Sequence, residues 1–212
     1  PYTCAGVLGM SLAHNKQIAK QMFRYAGLPT SNFFVMSSME DLDGHGLRFP
    51  LFVKPASEGS SIGINDKAIV HDHEELKRQT GMILNSIHSK VLVEEYIEGR
   101  EFTIGILGDE VLPIVEIISP TGFYDREQKE DIESEVYRIC PADLPEEKTR
   151  EFQEIALRAK KILNLEDVCR MDLRMDRDGN PFILEVNPIP LMHPDPEQAS
   201  LVYASRAAGY TY

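Results

Sequence analysis

Asp172, Glu185 and Asn187 stand close together in the stretch 168–187, VCRMDLRMDRDGNPFILEVN. Two acids and an amide, with no His or Cys beside them, are the donor set of a hard divalent cation, Mg²⁺ or Mn²⁺ rather than zinc. The spacing supplies the geometry. Cys169, Met171, Leu173 and Met175 alternate with Arg170, Asp172 and Arg174, the period of a half-buried strand. Asp176-Arg177-Asp178-Gly179-Asn180 is a turn signal. Phe182, Leu184 and Val186 then alternate with Ile183, Glu185 and Asn187, so the stretch reads as a β-hairpin. With residues 177–180 as the loop, Asp176 faces Pro181 and Met175 faces Phe182; counting back sets Asp172 opposite Glu185 and Arg170 opposite Asn187. Directly paired residues have Cβ atoms about 4.5–5.5 Å apart, where like charges destabilise. Two carboxylates that close on a covered face demand a cation between them or a proton on one. The bland alternative is a solvated polar hairpin face.

Three further stretches carry chemistry of a related kind. In Lys54-Pro-Ala-Ser-Glu-Gly-Ser-Ser-Ile-Gly63 a strand ends in lysine and a Ser/Gly loop follows. Such a loop offers backbone N–H groups and hydroxyls to phosphate oxygens, although no GKS or GKT closes it as in a P-loop. In Val91-Leu-Val-Glu-Glu-Tyr-Ile-Glu-Gly-Arg-Glu101 an apolar strand ends at Glu94 and a short linker leads to Glu101. A linker between two lobes suits an adenine ring, with an acid for the amino group or ribose. Gly122-Phe-Tyr-Asp-Arg-Glu-Gln-Lys129 puts an aromatic pair and a lysine in a polar loop, the makings of a lid. Taken alone, each of the three is more often a plain surface loop.

The elements that must position these groups follow from the pattern. Residues 1–12 read as a connector. Asn15 caps a helix to about Ala26, with Ile18, Ala19, Met22, Phe23 and Ala26 on one face; Gly27 and Pro29 stop it. Strands are expected at 32–37, 50–54, 91–97, 101–107 and 111–118, with Gly108-Asp109-Glu110 as a hairpin turn. A helix over 72–88 carries Leu76, Met82, Leu84 and Ile87, and a helix from Pro145 carries Phe152, Ile155, Ala156, Ala159, Ile162 and Leu163. Residues 120–134 read as an exposed loop, and a Pro-rich stretch from Pro188 to Pro196 precedes a last helix. Helices and antiparallel strands in separate runs indicate an α+β fold with two lobes meeting near residue 95.

Composition narrows the function classes. A chain of 212 residues can bury a core. A net charge of −12 argues against a nucleic-acid surface or a polybasic membrane anchor. Cys4, Cys140 and Cys169 have no CxxC spacing, which fits a reduced, cytoplasmic setting. No apolar run approaches a membrane span.

Taken in order, these pieces resemble the ATP-grasp superfamily and, within it, the D-alanine–D-alanine ligase family. The likeness runs through PYTCAGVLGMSLAHNK, FVKPASEGSSIGI, VEEYIEGREFTIGIL, GFYDREQK and RMDLRMDRDGNPFILEVNPIP. It implies two α+β lobes whose antiparallel sheets sandwich ATP: a connector over 1–12, a central lobe over 13–95 and a C-terminal lobe over 96–212 with the metal and catalytic residues. It implies ATP- and Mg-dependent (or Mn-dependent) ligation, with two ions, of small amino-acid substrates through an acyl phosphate, for peptidoglycan precursors. Nucleic acid and membrane are not implied as partners; a homodimer is compatible. By motif position Lys16 and Lys54 resemble the phosphate lysines. Glu58, Gly59, Ser60 and Ser61 resemble the phosphate-covering loop, with Ser60 also catalytic. Glu94, Glu95, Tyr96 and Ile97 resemble the adenine contacts and Glu101 the ribose ligand. Tyr124 and Lys129 resemble the lid residues, Arg170 the arginine that stabilises the intermediate, and Asp172, Glu185 and Asn187 the Mg²⁺ ligands. Departures from the family pattern fall at Glu95, Glu130, Leu191 and Pro196. The last two bear on the acceptor, so the alternatives are a ligase with another amino-acid or amine acceptor, or a nucleotide-binding module without chemistry. Family members also open with a separate α/β domain of about 80–100 residues that nothing in this sequence matches. On that ground the chain alone is expected to bind Mg-ATP and make little dipeptide.

Overall fold

The computed structural model describes residues 3–42, 46–57, 67–87, 89–119 and 136–212. Two antiparallel sheets organise them, as the α+β reading expects. The smaller has four strands in the order β1 (Phe33–Met36), β4 (Val91–Glu95), β2 (Leu51–Pro55) and β3 (Ile69–Val70). The larger has six, running β10 (Pro181–Asn187), β9 (Val168–Asp176), β5 (Gly99–Leu107), β7 (Val115–Ile118) and β8 (Tyr137–Ile139), with β6 (Glu110–Val111) paired to β5. The helices are α1 (Val7–His14), α2 (Lys16–Tyr25), α3 (His73–Ser86), α4 (Glu146–Ile162) and α5 (Ser200–Ala207).

Alternation decides what each sheet face does. Leu51, Val53, Val91 and Val93 of the small sheet pack with Leu76 and Ile83 of α3. The residues between them, Phe52, Lys54, Leu92 and Glu94, turn to the other face, because successive strand side chains point opposite ways. The larger core joins Phe102 and Ile104 of β5 to Met171 and Leu173 of β9, Ile183 and Val186 of β10, and Phe152 and Ala156 of α4. Ala19 and Phe23 of α2 enter this same core, so a helix grouped in sequence with the first lobe is buried against the second sheet. A third cluster seats α5 on β5 through Leu201 and Ala204. Gly105 makes that approach possible, since a Cβ there would lie 2.6 Å from Leu201 Cδ1 and 2.9 Å from Leu112 Cδ1.

The α2 helix begins where expected: the Asn15 side chain accepts from the Ile18 N–H at 3.1 Å, an N-cap bond. Asp72 caps α3 in the same way, through the Glu75 N–H at 2.8 Å. Several expectations need correction. Residues 7–12, read from sequence without a regular element, are helical and begin α1, which tertiary packing holds through Gly9, seated against the Asn164 carbonyl. The buried face of α3 runs through Leu76, Gln79, Thr80 and Ile83, and Met82 is exposed. The strand expected over 111–118 is split into β6 and β7, because Pro113 has no N–H for a ladder. The short strands β3 and β8 carried no sequence signal. Glu58, Gly59, Ser60 and Ser61, expected to cover phosphate, Tyr124 and Lys129, expected in a lid, and Glu130 lie outside the described residues.

The 168–187 hairpin forms with a different register at its turn. The Asp176 carboxylate accepts from the Asp178 N–H at 3.0 Å, the Asn180 N–H at 2.8 Å and Asn180 Nδ2 at 3.0 Å. This draws Asn180 onto Asp176, as Asx turns do, and Pro181 pairs with Met175 and Phe182 with Arg174, each one residue further from the turn than the expected partners Asp176 and Met175. A bulge then intervenes. Leu184 is the extra residue between the pairs Ile183–Leu173 and Glu185–Asp172, and it restores the expected oppositions of Asp172 to Glu185 and Arg170 to Asn187. It also changes the faces: Ile183 and Val186 are the core residues, while Phe182 and Leu184 are half-buried.

Phe152 is fully buried, edge-on to Phe102 with ring centroids 5.3 Å apart. Phe152→Ala is expected to cost about 3–5 kcal/mol in urea unfolding. Leu157→Ala on the exposed side of α4 is expected to stay within about 0.5 kcal/mol.

Candidate active site

The inward face of the small sheet carries Lys54 and Glu94 on adjacent strands, both almost wholly buried. Lys54 Nζ lies 2.6 Å from Glu94 Oε1. The second Glu94 oxygen meets Lys20 Nζ at 2.7 Å and the Ser31 hydroxyl at 2.9 Å. Lys20 Nζ donates further to Thr30 Oγ1 at 2.5 Å and Ser31 Oγ at 3.0 Å. Burial alone would push the Glu94 carboxyl up, but the Lys20 and Lys54 ammonium groups hold it down at about 2. Both side-chain oxygens of Glu94, matched by motif to an adenine contact, are thus engaged by cations.

The hairpin of the large sheet supplies the opposing groups. Asp172 accepts a bidentate pair from Arg170, Nε to Oδ1 at 2.9 Å and Nη2 to Oδ2 at 2.8 Å. Thr103 Oγ1, on the neighbouring strand β5, donates to the same carboxylate at 2.7 Å and Asn187 Nδ2 at 2.9 Å. Glu185 is half-buried and its Oε2 lies 3.6 Å from Lys16 Nζ. Lys16 is the first residue of α2, and its backbone N–H is tied to the Ala56 carbonyl at 3.1 Å, just past β2. Lys16 therefore bridges the end of the small sheet and the hairpin of the large one. Burial draws its pKa down against the opposing pull of Glu185.

The linker residues divide by environment. Glu95 is fastened to Arg48, whose backbone N–H and Nε reach its Oε1 at 3.1 Å and 3.3 Å, and to Asn32 Nδ2 at 3.0 Å. Tyr96 stacks near Phe52, with ring centroids 6.5 Å apart, and the Arg174 guanidinium lies 5.0 Å from its ring centre. Arg174 also pairs with Glu101 at 3.5 Å and donates to the Gly99 carbonyl at 2.8 Å. Ile97 follows in the same linker, half-buried. Leu191 is exposed and its backbone is not left-handed. Burial pushes the Cys140 and Cys169 thiols up to about 11, so neither is a thiolate nucleophile at neutral pH.

Sequence reasoning passed over Lys20, Ser31, Thr30 and Arg174. A signal existed for Lys20: it stands four residues after Lys16 and three before Phe23, on the buried stripe of α2. A lysine on that stripe needs a buried anion.

Among the described residues no three His, Cys, Asp or Glu side chains cluster as a metal centre. The set here is two carboxylates and an amide, which suits a hard cation that takes its remaining ligands from phosphate and water. Four hydrogen bonds occupy Asp172, about the capacity of a carboxylate. Turning the Asn187 amide by half a turn would replace its N–H with its oxygen and free a lone pair on Asp172. The donors fit a divalent cation.

Two antiparallel sheets with lysines on one inward face and a carboxylate-bearing hairpin on the other define an ATP-grasp fold. The family described as D-ala D-ala ligase C-terminus matches residues 22–211, and the chain belongs to the D-alanine–D-alanine ligase family. A D-alanine–D-alanine ligase of Pseudoalteromonas translucida is 37% identical over 215 residues, covering all of this chain and 68% of that protein. One from Aquifex aeolicus is 39% identical over 194 residues, covering 91% of this chain and 64% of the relative. The crystal structure of D-alanine–D-alanine ligase from Bacillus anthracis complexed with ATP superimposes with a TM-score of 0.83 at 29% identity, over all of this chain and 66% of that one. The chain thus spans about two thirds of the length of the relatives it matches. No helix among the described residues is long and apolar enough to cross a membrane.

Glu94 makes a pH prediction. Its folded pKa of about 2 lies well below the ordinary glutamate value of 4.5. Its contribution to stability is therefore present above the unfolded pKa and lost as pH falls through the folded one. Between pH 4.5 and 2 the wild type is expected to lose stability in urea titrations more steeply than Glu94→Gln. Parallel curves for the two would sink the assignment.

Proposed function

We propose that this chain supplies the nucleotide- and metal-binding machinery of an ATP-dependent carboxylate–amine ligase that joins two D-alanine molecules. The observation that carries the reading is the 3.6 Å contact of Lys16 with Glu185. It brings a cation at the end of the small sheet to the carboxylate hairpin of the large one. Family membership and the likeness to an ATP-complexed ligase support the substrate class.

In this reading a substrate carboxylate oxygen attacks the γ-phosphorus of ATP and ADP leaves. The amine of the second substrate then attacks the acyl carbon, and phosphate leaves as the C–N bond forms. Phosphoryl transfer needs positioning and charge neutralisation more than covalent help. Lys16 and Lys54 supply cationic charge from the small-sheet side, and Glu101 and the 94–97 linker hold the nucleoside. Asp172, Glu185 and Asn187 would hold Mg²⁺ or Mn²⁺, which contributes charge neutralisation at the transferring phosphate. Arg170, fixed in orientation by its bidentate bond to Asp172, faces the charge that develops on the acyl oxygen. A lid from Tyr124 and Lys129 and a phosphate cover from Glu58, Gly59, Ser60 and Ser61 complete the proposal by motif position.

A different acceptor is the second reading. Leu191 is 58% exposed beside the hairpin, and Pro196, at the start of a 3₁₀ turn, offers no N–H to an acceptor carboxylate. A nucleotide-binding module without chemistry fits less well, because Arg170 is oriented on the metal face where ATP binding alone does not call for it.

Phosphate release by the full-length protein, measured with Mg-ATP and a panel of D- and L-amino acids, tests the reading. D-Alanine is expected to give the highest rate. Asp172→Asn is expected to lower that rate by about 10²-fold or more, the scale of losing a preorganised electrostatic contact, with an unchanged circular-dichroism spectrum. Wild-type turnover in this variant would refute the metal assignment.

A further inference from the structure

Lys20 has no role in the proposed chemistry, yet it is the most enclosed cation of the site, 1% exposed on its side chain. An ammonium has three N–H donors, and Glu94, Thr30 and Ser31 take all three, at 2.7 Å, 2.5 Å and 3.0 Å. It therefore has nothing left to offer a ligand. Lys54 is placed differently. Its ammonium meets Glu94 at 2.6 Å, and Glu185 and Asp172 of the metal hairpin are among the charges acting on it. One carboxylate thus stands between two lysines, one facing the protein interior and one facing the hairpin.

The charge count gives the arrangement its meaning. A buried Glu94–Lys54 pair alone would be electrically closed, and Lys54 would present little net field to an incoming phosphate. Inside a protein, where charges act through a lower dielectric than water, such cancellation is strong. With Lys20 behind Glu94 the triad carries one net positive charge, and Lys54 is the end of it that looks toward the hairpin. We propose that Lys20 is a positioning residue that neutralises Glu94 from behind, so that Lys54 meets the nucleotide's phosphates with its charge uncompensated. The proposal rests on reading the cleft as a nucleotide site and adds a source of phosphate affinity in a residue that cannot touch the nucleotide.

The rival account is that Lys20 merely fills space and satisfies hydrogen bonds. Charge and structure part company in two variants at this one position. Lys20→Met leaves the triad with no net charge. Lys20→Arg keeps the charge while changing the shape and hydrogen-bond geometry of the side chain. Calorimetric titration of the full-length protein with Mg-ATP, and separately with adenosine, is the experiment. Lys20→Met is expected to weaken Mg-ATP binding at least about tenfold, or about 1.4 kcal/mol, and to leave adenosine binding within about twofold. Lys20→Arg is expected to bind Mg-ATP within about threefold of wild type. A Lys20→Met protein that binds Mg-ATP like wild type, an equal loss for adenosine, or a Lys20→Arg protein as weak as Lys20→Met would each overturn the proposal. If Lys20→Met does not fold, Lys20→Gln, neutral but able to hydrogen-bond, is held to the same tenfold loss. A wild type that fails to bind Mg-ATP at all would refute the nucleotide reading instead, so the two failures are distinguishable.

Discussion

A carboxylate taken out of water has to be given cations, and Glu94 is nearly as buried as any side chain in this fold. Meeting that demand sets much of the local architecture. One lysine comes from the neighbouring strand β2 and another from helix α2, whose apolar face lies in the core of the other sheet. The ion triad therefore binds a helix to a sheet with which it shares little apolar surface. Through Ser31 and Thr30 the same network runs on to the Ile183 carbonyl of β10, 3.0 Å from Thr30 Oγ1. A polar network of this kind rigidifies when every member is satisfied, and here the members span both sheets.

The large sheet solves a second electrostatic problem. Asp172 and Glu185 face each other across the hairpin, a pairing that would repel in isolation. Arg170 holds one and Lys16 approaches the other. The acids are thus held in place and aimed, with cations close enough to steady them. The bulge at Leu184 is what makes the pairing compatible with the turn. It absorbs one residue between two registers, and bulges are common beside active sites because they re-aim side chains.

Much of this was legible in the sequence, and the reasons differ by element. The helices α2 and α4 declared themselves because amphipathic spacing and caps are local signals. Asp172, Glu185, Asn187 and Arg170 could be brought to one face by counting back from a turn. The count reached the right pairs through a compensation it did not contain, since the turn closes one residue early, with Asn180 on Asp176, and the extra residue of the bulge makes up for it. Helix α1 was invisible because its amphipathic signal is weak and its packing is tertiary. For Lys20 the local signal is only half of what is needed: its place on the buried stripe of α2 calls for an anion, but the anion stands 74 positions further along the chain, beyond the reach of local spacing. Its partner Glu94 was noticed, but for a ligand rather than for lysines.

The hairpin that carries the acids is also the last strand of its sheet, with β10 at the edge. An open edge is a template on which another polypeptide can lay down a strand. Midway along this one, the Ile183 N–H is taken by the Pro29 carbonyl at 3.0 Å and the Ile183 carbonyl by the Thr30 hydroxyl. The short segment that leaves α2 therefore works as a stopper against polymerisation. Its proline, lacking an N–H, cannot itself pass the ladder outward. Colloidal behaviour and chemistry are thus tied to the same few atoms: loosening residues 29–30 would uncover an adhesive margin beside the acids, and self-association would follow.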